Sequence, residues 1–123
     1  MRYLILAILI VNSYGGMLDF NYLQKANEAY GKKDFQTASQ NFAKINNDSA
    51  RYNEANSLYK QKKYQEALDV YSGIKDKSLQ FQKLHNMGNT LAKMGKKDEA
   101  IKSYENALKI KEDKDTKYNL DLL

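Results

Sequence analysis

A short pattern that occurs three times constrains this chain more than any other feature of its sequence. Each copy is a polar turn with a pair of lysines, followed by an alanine and, four residues later, by an aromatic residue. The alanines lie 29 and 33 residues apart, and the copies are Ala38 with Phe42, Ala67 with Tyr71 and Ala100 with Tyr104. A repeat of this length predicts stacked copies of one supersecondary unit, because one such unit cannot bury its apolar face alone.

The third copy, at 86–108, indicates what the unit is. Apolar residues recur every three or four positions before Gly95 and again after it, which predicts two amphipathic helices joined by a tight turn. A small residue precedes each turn, at Ala26, Ala55 and Gly88, where a larger side chain would push two crossing helices apart. No part of the sequence shows the sustained alternation of a strand. We therefore predict an all-α fold of antiparallel helix pairs, in one small domain because the chain has 123 residues.

These motifs resemble those of the tetratricopeptide repeat family. Residues 86–108 carry the family's Asn-Leu-Gly-Asn type opening as Asn-Met-Gly-Asn, its Gly-Lys-x-x-Glu-Ala turn and its Tyr-x-x-Ala-Leu ending. The resemblance implies a right-handed superhelical array of about three helix-turn-helix units with a C-terminal capping helix. The units would span about 19–46, 48–75 and 78–112, and the capping helix about 115–123.

The resemblance also implies where a partner binds, because the first helices of such arrays line a concave groove. An asparagine recurs at the groove position of each unit, and its amide can both donate to and accept from the backbone of an extended peptide. Tyrosine, histidine and lysine side chains are expected on the same face, which predicts a polar, aromatic and weakly basic groove. The predicted partner-binding residues are Asn27, Tyr30, Tyr52, Asn56, Tyr59, Lys60, His85, Asn89 and Lys93. The alternative is that the asparagines fix contacts between helices inside the array.

Residues 1–15 differ from everything that follows. Arg2 precedes an unbroken apolar run from Tyr3 to Val11, and small residues follow it up to Gly15. That order is typical of a secretory signal peptide, so we predict cleavage after Gly15 and an exported, periplasmic protein. The alternatives are an uncleaved membrane anchor and a buried first helix of the domain. Because the sequence has no cysteine, lipid attachment at a lipobox and disulfide bonds are excluded.

The sequence has few of the residues and motifs that catalytic sites need. There is one histidine, no cysteine, no Gly-rich phosphate loop and no pair of histidines at metal-ligand spacing. We therefore expect no enzyme activity, no cofactor and no metal site. The lysine pairs at the ends of the first helices are favourably placed for the helix dipole. Alternatively they form a basic ridge that contacts anionic lipid, whereas nucleic acid is not expected for an exported chain despite the net charge of +5.

The arrangement as a whole predicts a class of function. The signal, the short array and the ending at 117–123 are similar to the tetratricopeptide proteins associated with von Willebrand-type domains in bacterial aerotolerance (Bat) operons. This resemblance implies a partner protein at the outer face of the inner membrane. We expect a non-catalytic adaptor or scaffold that binds a segment of its partner in the groove. The alternatives are a membrane-surface accessory protein that uses the lysine ridge, and an assembly factor whose groove is filled by another copy.

Overall fold

The computed structural model describes the backbone of residues 2–123 and the side chains of residues 16–123. All regular structure in this part of the chain is helical, so the prediction of an all-α helical repeat array is confirmed. The helices are α1 (Arg2–Gly31), α2 (Phe35–Phe42), α3 (Asp48–Lys60), α4 (Tyr64–Ser72), α5 (Gln80–Lys93), α6 (Lys97–Ile110) and α7 (Lys114–Asp121), with a 3₁₀ turn at Lys77–Leu79 before α5. The predicted signal segment, 1–15, lies outside the residues whose side chains are described.

The helices pack in the order in which they follow one another along the chain. The hairpins are α1 with α2, α3 with α4 and α5 with α6, and the second helix of each hairpin packs against the helix that follows it. Such an array is nearly one-dimensional, since each unit is stabilised by its neighbours alone. Within residues 16–123, no helix is both long enough and apolar enough to cross a membrane.

The three hairpin turns close in the same way. Lys33, Lys62 and Gly95 each adopt a left-handed backbone conformation, with φ of 62°, 62° and 74°. In each turn the following amide donates to the carbonyl five residues back, over 2.8, 3.0 and 2.9 Å respectively, which is the Schellman pattern that ends a helix. Glycine adopts this conformation freely, whereas an L-residue with a side chain is strained by about 1–2 kcal/mol. Both lysine turns therefore store strain that the glycine turn does not.

Small and aromatic residues fill the helix crossings. Ala38, Ala67 and Ala100 are fully buried, and the aromatic residue four positions after each alanine is at most 2% exposed. The third crossing is the tightest, because a Cβ atom on Gly88 would lie 2.5 Å from two ring carbons of Tyr104. A methyl group does not fit there, which explains why the sequence has glycine where the other units have alanine.

The short linkers are fixed by side-chain caps. Asn47 accepts a hydrogen bond from the amide of Ala50 at the start of α3, over 2.8 Å. Asp48 reaches across to the second linker, where its carboxylate accepts from the amides of Lys75 and Asp76 over 3.0 and 2.8 Å. These two bonds hold the pKa of Asp48 below its usual value. The start of α3 is thereby tied to the entry of the next unit.

Candidate functional site

A pocket of about 260 Å³ lies where the first helices of the three units meet. We call it the central pocket; it is lined by Tyr30 of α1, by Asn56, Tyr59 and Lys60 of α3, by Tyr71 of α4, and by Asn86 and Asn89 of α5. The pocket brings together five of the predicted partner-binding residues, namely Tyr30, Asn56, Tyr59, Lys60 and Asn89. Its wall is formed mainly of amide and phenol groups with one lysine.

A second pocket of about 470 Å³ adjoins the first toward the C-terminal end of the array. This end pocket is lined by Tyr59, Asn89, Ala92, Lys93, Tyr104, Asn119, Leu122 and Leu123. Because Tyr59 and Asn89 line both pockets, the two form one continuous groove. None of the residues lining these two pockets, all within the described range, is acidic, so Lys60 and Lys93 give the groove a positive charge.

Two of the groove asparagines connect three helices each, through their side-chain oxygens. Asn56 Oδ1 accepts hydrogen bonds from the Tyr71 hydroxyl and, over 3.0 Å, from Asn86 Nδ2. Asn89 Oδ1 repeats this arrangement one unit later and accepts from the Tyr104 hydroxyl over 2.6 Å and from Asn119 Nδ2 over 3.1 Å. We call these two sets of bonds the asparagine ladder. Each rung joins the two helices of one unit to the first helix of the next.

The ladder leaves one half of each amide for other partners. The oxygens of Asn56 and Asn89 each accept two hydrogen bonds, whereas their Nδ2 groups make none to another group in the described part of the chain. The bonds to the oxygens support the alternative prediction that these asparagines fix contacts between helices, and partner binding through the nitrogens stays a prediction. The oxygens fix the helices, and the nitrogens remain able to donate into the groove.

The two tyrosines of the ladder remain protonated over the physiological range. Burial raises the pKa of Tyr104 to about 12 and raises that of Tyr71 well above its usual value, with a smaller contribution from nearby Tyr52 in the second case. Each hydroxyl therefore stays a donor to its asparagine oxygen. The shape of the groove does not depend on the ionisation of these groups.

Three predicted residues do not line either pocket. Asn27 is exposed and makes no rung, because the corresponding aromatic residue of its unit is Phe42, which has no hydroxyl. Tyr52 lies behind the central pocket, where its hydroxyl accepts from Asn86 Nδ2 over 3.0 Å. His85 is directed toward α7, with Nδ1 2.7 Å from Thr116 Oγ1.

The contacts of Thr116 determine which atom of His85 carries a proton. The Thr116 hydroxyl donates to the Asp113 carboxylate over 2.8 Å, so its oxygen can only accept from the imidazole. Nδ1 of His85 is therefore the protonated nitrogen in the neutral ring. Burial lowers the pKa of His85, and the charges of Asp113 and Asp115 oppose that shift to a smaller extent.

Several residues that line the groove are not among those predicted from the sequence. They are Tyr71, Asn86, Ala92, Tyr104, Asn119, Leu122 and Leu123. A signal was present for two of them, because Asn86 and Asn119 are spaced by 33 residues, as are Asn56 and Asn89. The lysines of the predicted ridge, at 32–33, 60, 62–63 and 96–97, are all exposed at or next to the three turns.

The fold and the groove together define a class of protein, the stacked helix-pair repeat protein. Residues 82–114 match the sequence profile of the family described as Tetratricopeptide repeat. The fold is similar to that of the TPR2AB-domain:pHSP90 complex of yeast Sti1, with a TM-score of 0.76 and 18% sequence identity. The likeness covers 86% of this chain and 46% of that chain, so this chain spans about half the length of the structure that it matches. No curated protein sequence matches the chain.

Proposed function

We propose that this chain is a non-catalytic adaptor that binds an extended segment of a partner protein in the groove formed by the central and end pockets. The continuity of that groove through Tyr59 and Asn89, with lysines and no acidic residue in its lining, is the observation that carries the proposal. The match of the third unit to the tetratricopeptide profile supports it. Further support comes from the similar yeast fold, which is a complex with pHSP90.

The mechanism is binding to a preformed surface. The amide nitrogens of Asn56 and Asn89 donate to backbone carbonyls of the segment, and the ladder fixes their positions before the segment arrives. Lys60 and Lys93, both exposed at the groove, interact with carboxylates on the segment. The adaptor loses little freedom on binding, so most of the ordering cost is borne by the partner.

The location that we propose for the protein is argued from its sequence. The order of charge, apolar run and small residues in 1–15 supports export to the periplasm. The resemblance to the proteins of the Bat operons supports a membrane-associated partner with a von Willebrand-type domain. In this setting the chain holds an assembly together near the outer face of the inner membrane.

The proposal is tested by panning the full chain against phage-displayed random peptides of about twelve residues, a length that spans about 40 Å when extended. We expect enriched peptides that carry acidic residues and compete with one another for a single site. Their affinities should fall about tenfold or more in the Lys60→Glu, Lys93→Glu variant, because two attractive contacts become repulsive.

The matched control reverses two lysines outside the groove. Lys102 and Lys109 are exposed on α6 and line neither pocket, so the Lys102→Glu, Lys109→Glu variant has the same net charge as the test variant. The control should retain binding. Absence of any enriched peptide, or equal loss of binding in both variants, would contradict the proposal.

A further inference from the structure

We infer that α7 is a ligand-binding element as well as an end cap, and that the end pocket selects an apolar side chain next to a carboxylate in the bound segment. This inference rests on the proposed function, because it names the chemistry of the segment that occupies the same groove. It is carried by the position of α7 in the ladder and by the residues that α7 contributes to the end pocket.

The register of α7 is that of a first helix. Asn119 donates to Asn89 as Asn86 donates to Asn56, and the two donors are 33 residues apart. Leu122, which caps the C-terminal end of α7, therefore lies at the repeat position that Asn89 occupies in α5, and it lines the end pocket. This register makes α7 the fourth helix to line the concave surface.

The exposed residues of α7 are mainly polar, but the exposed residue that caps its C-terminal end is apolar. The terminal helix of a repeat array normally shields the core with a polar outer face. Thr116 of α7 is buried, and Leu120 and Leu123 pack against the core cluster of Leu91, Ala100 and Tyr104, as a cap requires. Leu122, however, is 67% exposed and lines the end pocket beside Ala92. An exposed leucine at the wall of a pocket gains free energy when a ligand covers it.

The charge of the same pocket determines the class of ligand. Lys93 lies in its lining, and none of the described lining residues has an acidic side chain. A segment that places an apolar side chain on Leu122 and a neighbouring carboxylate near Lys93 satisfies both features. Continuity with the central pocket through Tyr59 and Asn89 lets the rest of the segment reach the asparagine amides. The occupant is therefore an extended acidic segment with an apolar residue at one end.

The experiment uses peptides enriched in the panning, synthesised with a fluorescein label in two versions. One version keeps the apolar residue next to the acidic position, and the other has alanine there. Fluorescence anisotropy with the full parent chain should show about tenfold tighter binding of the apolar version, as expected for burial of one aliphatic side chain. The Leu122→Ser variant should bind both versions equally, and Leu122→Met should restore the preference.

Ile110→Ser is the matched control. Ile110 is 53% exposed at the end of α6 and lines neither pocket, so its replacement removes a comparable apolar surface elsewhere. This variant should keep the tenfold preference. Melting temperatures of the two serine variants should agree, because both sites are largely exposed.

The outcomes separate this inference from the proposed function. If peptides bind through Lys60 and Lys93 but the parent has no apolar preference, or Leu122→Ser keeps it, the role of α7 is refuted and the groove remains. If no peptide binds at all, both ideas are refuted. If the parent is a dimer in sedimentation equilibrium and Leu122→Ser is a monomer, the occupant is a second copy and the assignment to a peptide is overturned.

Discussion

Gly88→Ala tests whether close approach of two helices sets the geometry of the third unit. A Cβ atom at this position would lie 2.5 Å from Cδ1 and Cε1 of Tyr104 and 2.9 Å from its Cζ, where ordinary contacts begin near 3.4 Å. The ring has to move by about 1 Å, and overpacking of this kind costs about 1–3 kcal/mol. The higher helix propensity of alanine offsets about 1 kcal/mol of that cost. We therefore expect a net loss of up to about 2 kcal/mol in the free energy of unfolding.

Gly31→Ala provides the comparison that isolates the steric effect. Gly31 is the last residue of α1, and nothing lies within 4 Å of a Cβ atom built on it. This variant should be unchanged or slightly more stable, because alanine restricts the unfolded chain. Thermal unfolding followed by circular dichroism should place Gly88→Ala below Gly31→Ala by several degrees, at about 4–8 °C per kcal/mol. Equal melting temperatures would refute the close approach.

Displacement of the Tyr104 ring should also affect the groove. The Tyr104 hydroxyl donates to Asn89 over 2.6 Å, and a ring shift of about 1 Å breaks a bond of that length. Gly88→Ala should therefore weaken binding of the enriched peptides as well as the fold. Unchanged peptide affinity in a destabilised variant would show that the ladder does not hold the groove residues in place.

Three further predictions concern the turns, the ladder and the single histidine. Lys62→Gly should raise the free energy of unfolding by about 0.5–1 kcal/mol, since glycine relieves the left-handed strain at this turn. The control Lys102→Gly, in the interior of a helix, should lower the free energy of unfolding. A loss of stability in both variants would argue against strain at this turn. Tyr71→Phe should lower the free energy of unfolding, measured in urea, by about 1 kcal/mol because one ladder bond is lost. Tyr118→Phe, at a side chain that is 64% exposed, should leave the free energy of unfolding unchanged. Burial lowers the pKa of His85, so the unfolded chain takes up the proton more readily, and stability should fall as the pH drops below about 6.5. His85→Gln should flatten this dependence, and parallel pH profiles for the two proteins would exclude the histidine as its cause.

The fold could be predicted from the sequence because its determinants are local and repeated. The spacing of Ala38, Ala67 and Ala100, with an aromatic residue four positions after each, fixes one hairpin geometry that occurs three times. The conformation of Lys33 and Lys62 could not be predicted from residue type, since lysine rarely adopts a positive φ. It follows from the Schellman bonds that close the same turn in every unit.

Some residues of the candidate site could be predicted from the sequence. The residues that could not be predicted are those whose positions depend on how neighbouring units pack against each other. Tyr59 and Lys60 on α3 and Lys93 on α5 follow from the groove face that the family resemblance implies for the first helices, and the structure places them in the groove lining. The position of His85 depends on α7, which packs over it through Thr116, and helical periodicity carries no information about that contact. The register between stacked helices is a property of tertiary packing, because side chains in one helix meet partners about thirty residues away.

The ladder gives the array a direction. Each of the rungs at Asn56 and Asn89 is built from an acceptor on one first helix and a donor on the next, so a rung forms only where the earlier helix presents an acceptor; the first unit packs on the second without one. At the C-terminal end of α7, the position that corresponds to Asn56 and Asn89 is occupied by Leu122, whose side chain has no oxygen atom. If a further helix packed against α7, its donor asparagine would face the methyl groups of Leu122 and have no acceptor. Burying that unpaired amide would cost about 1–3 kcal/mol of stability. Leu122 therefore disfavours a further rung at this end of the ladder, and Leu122→Asn is the substitution that would supply the missing acceptor.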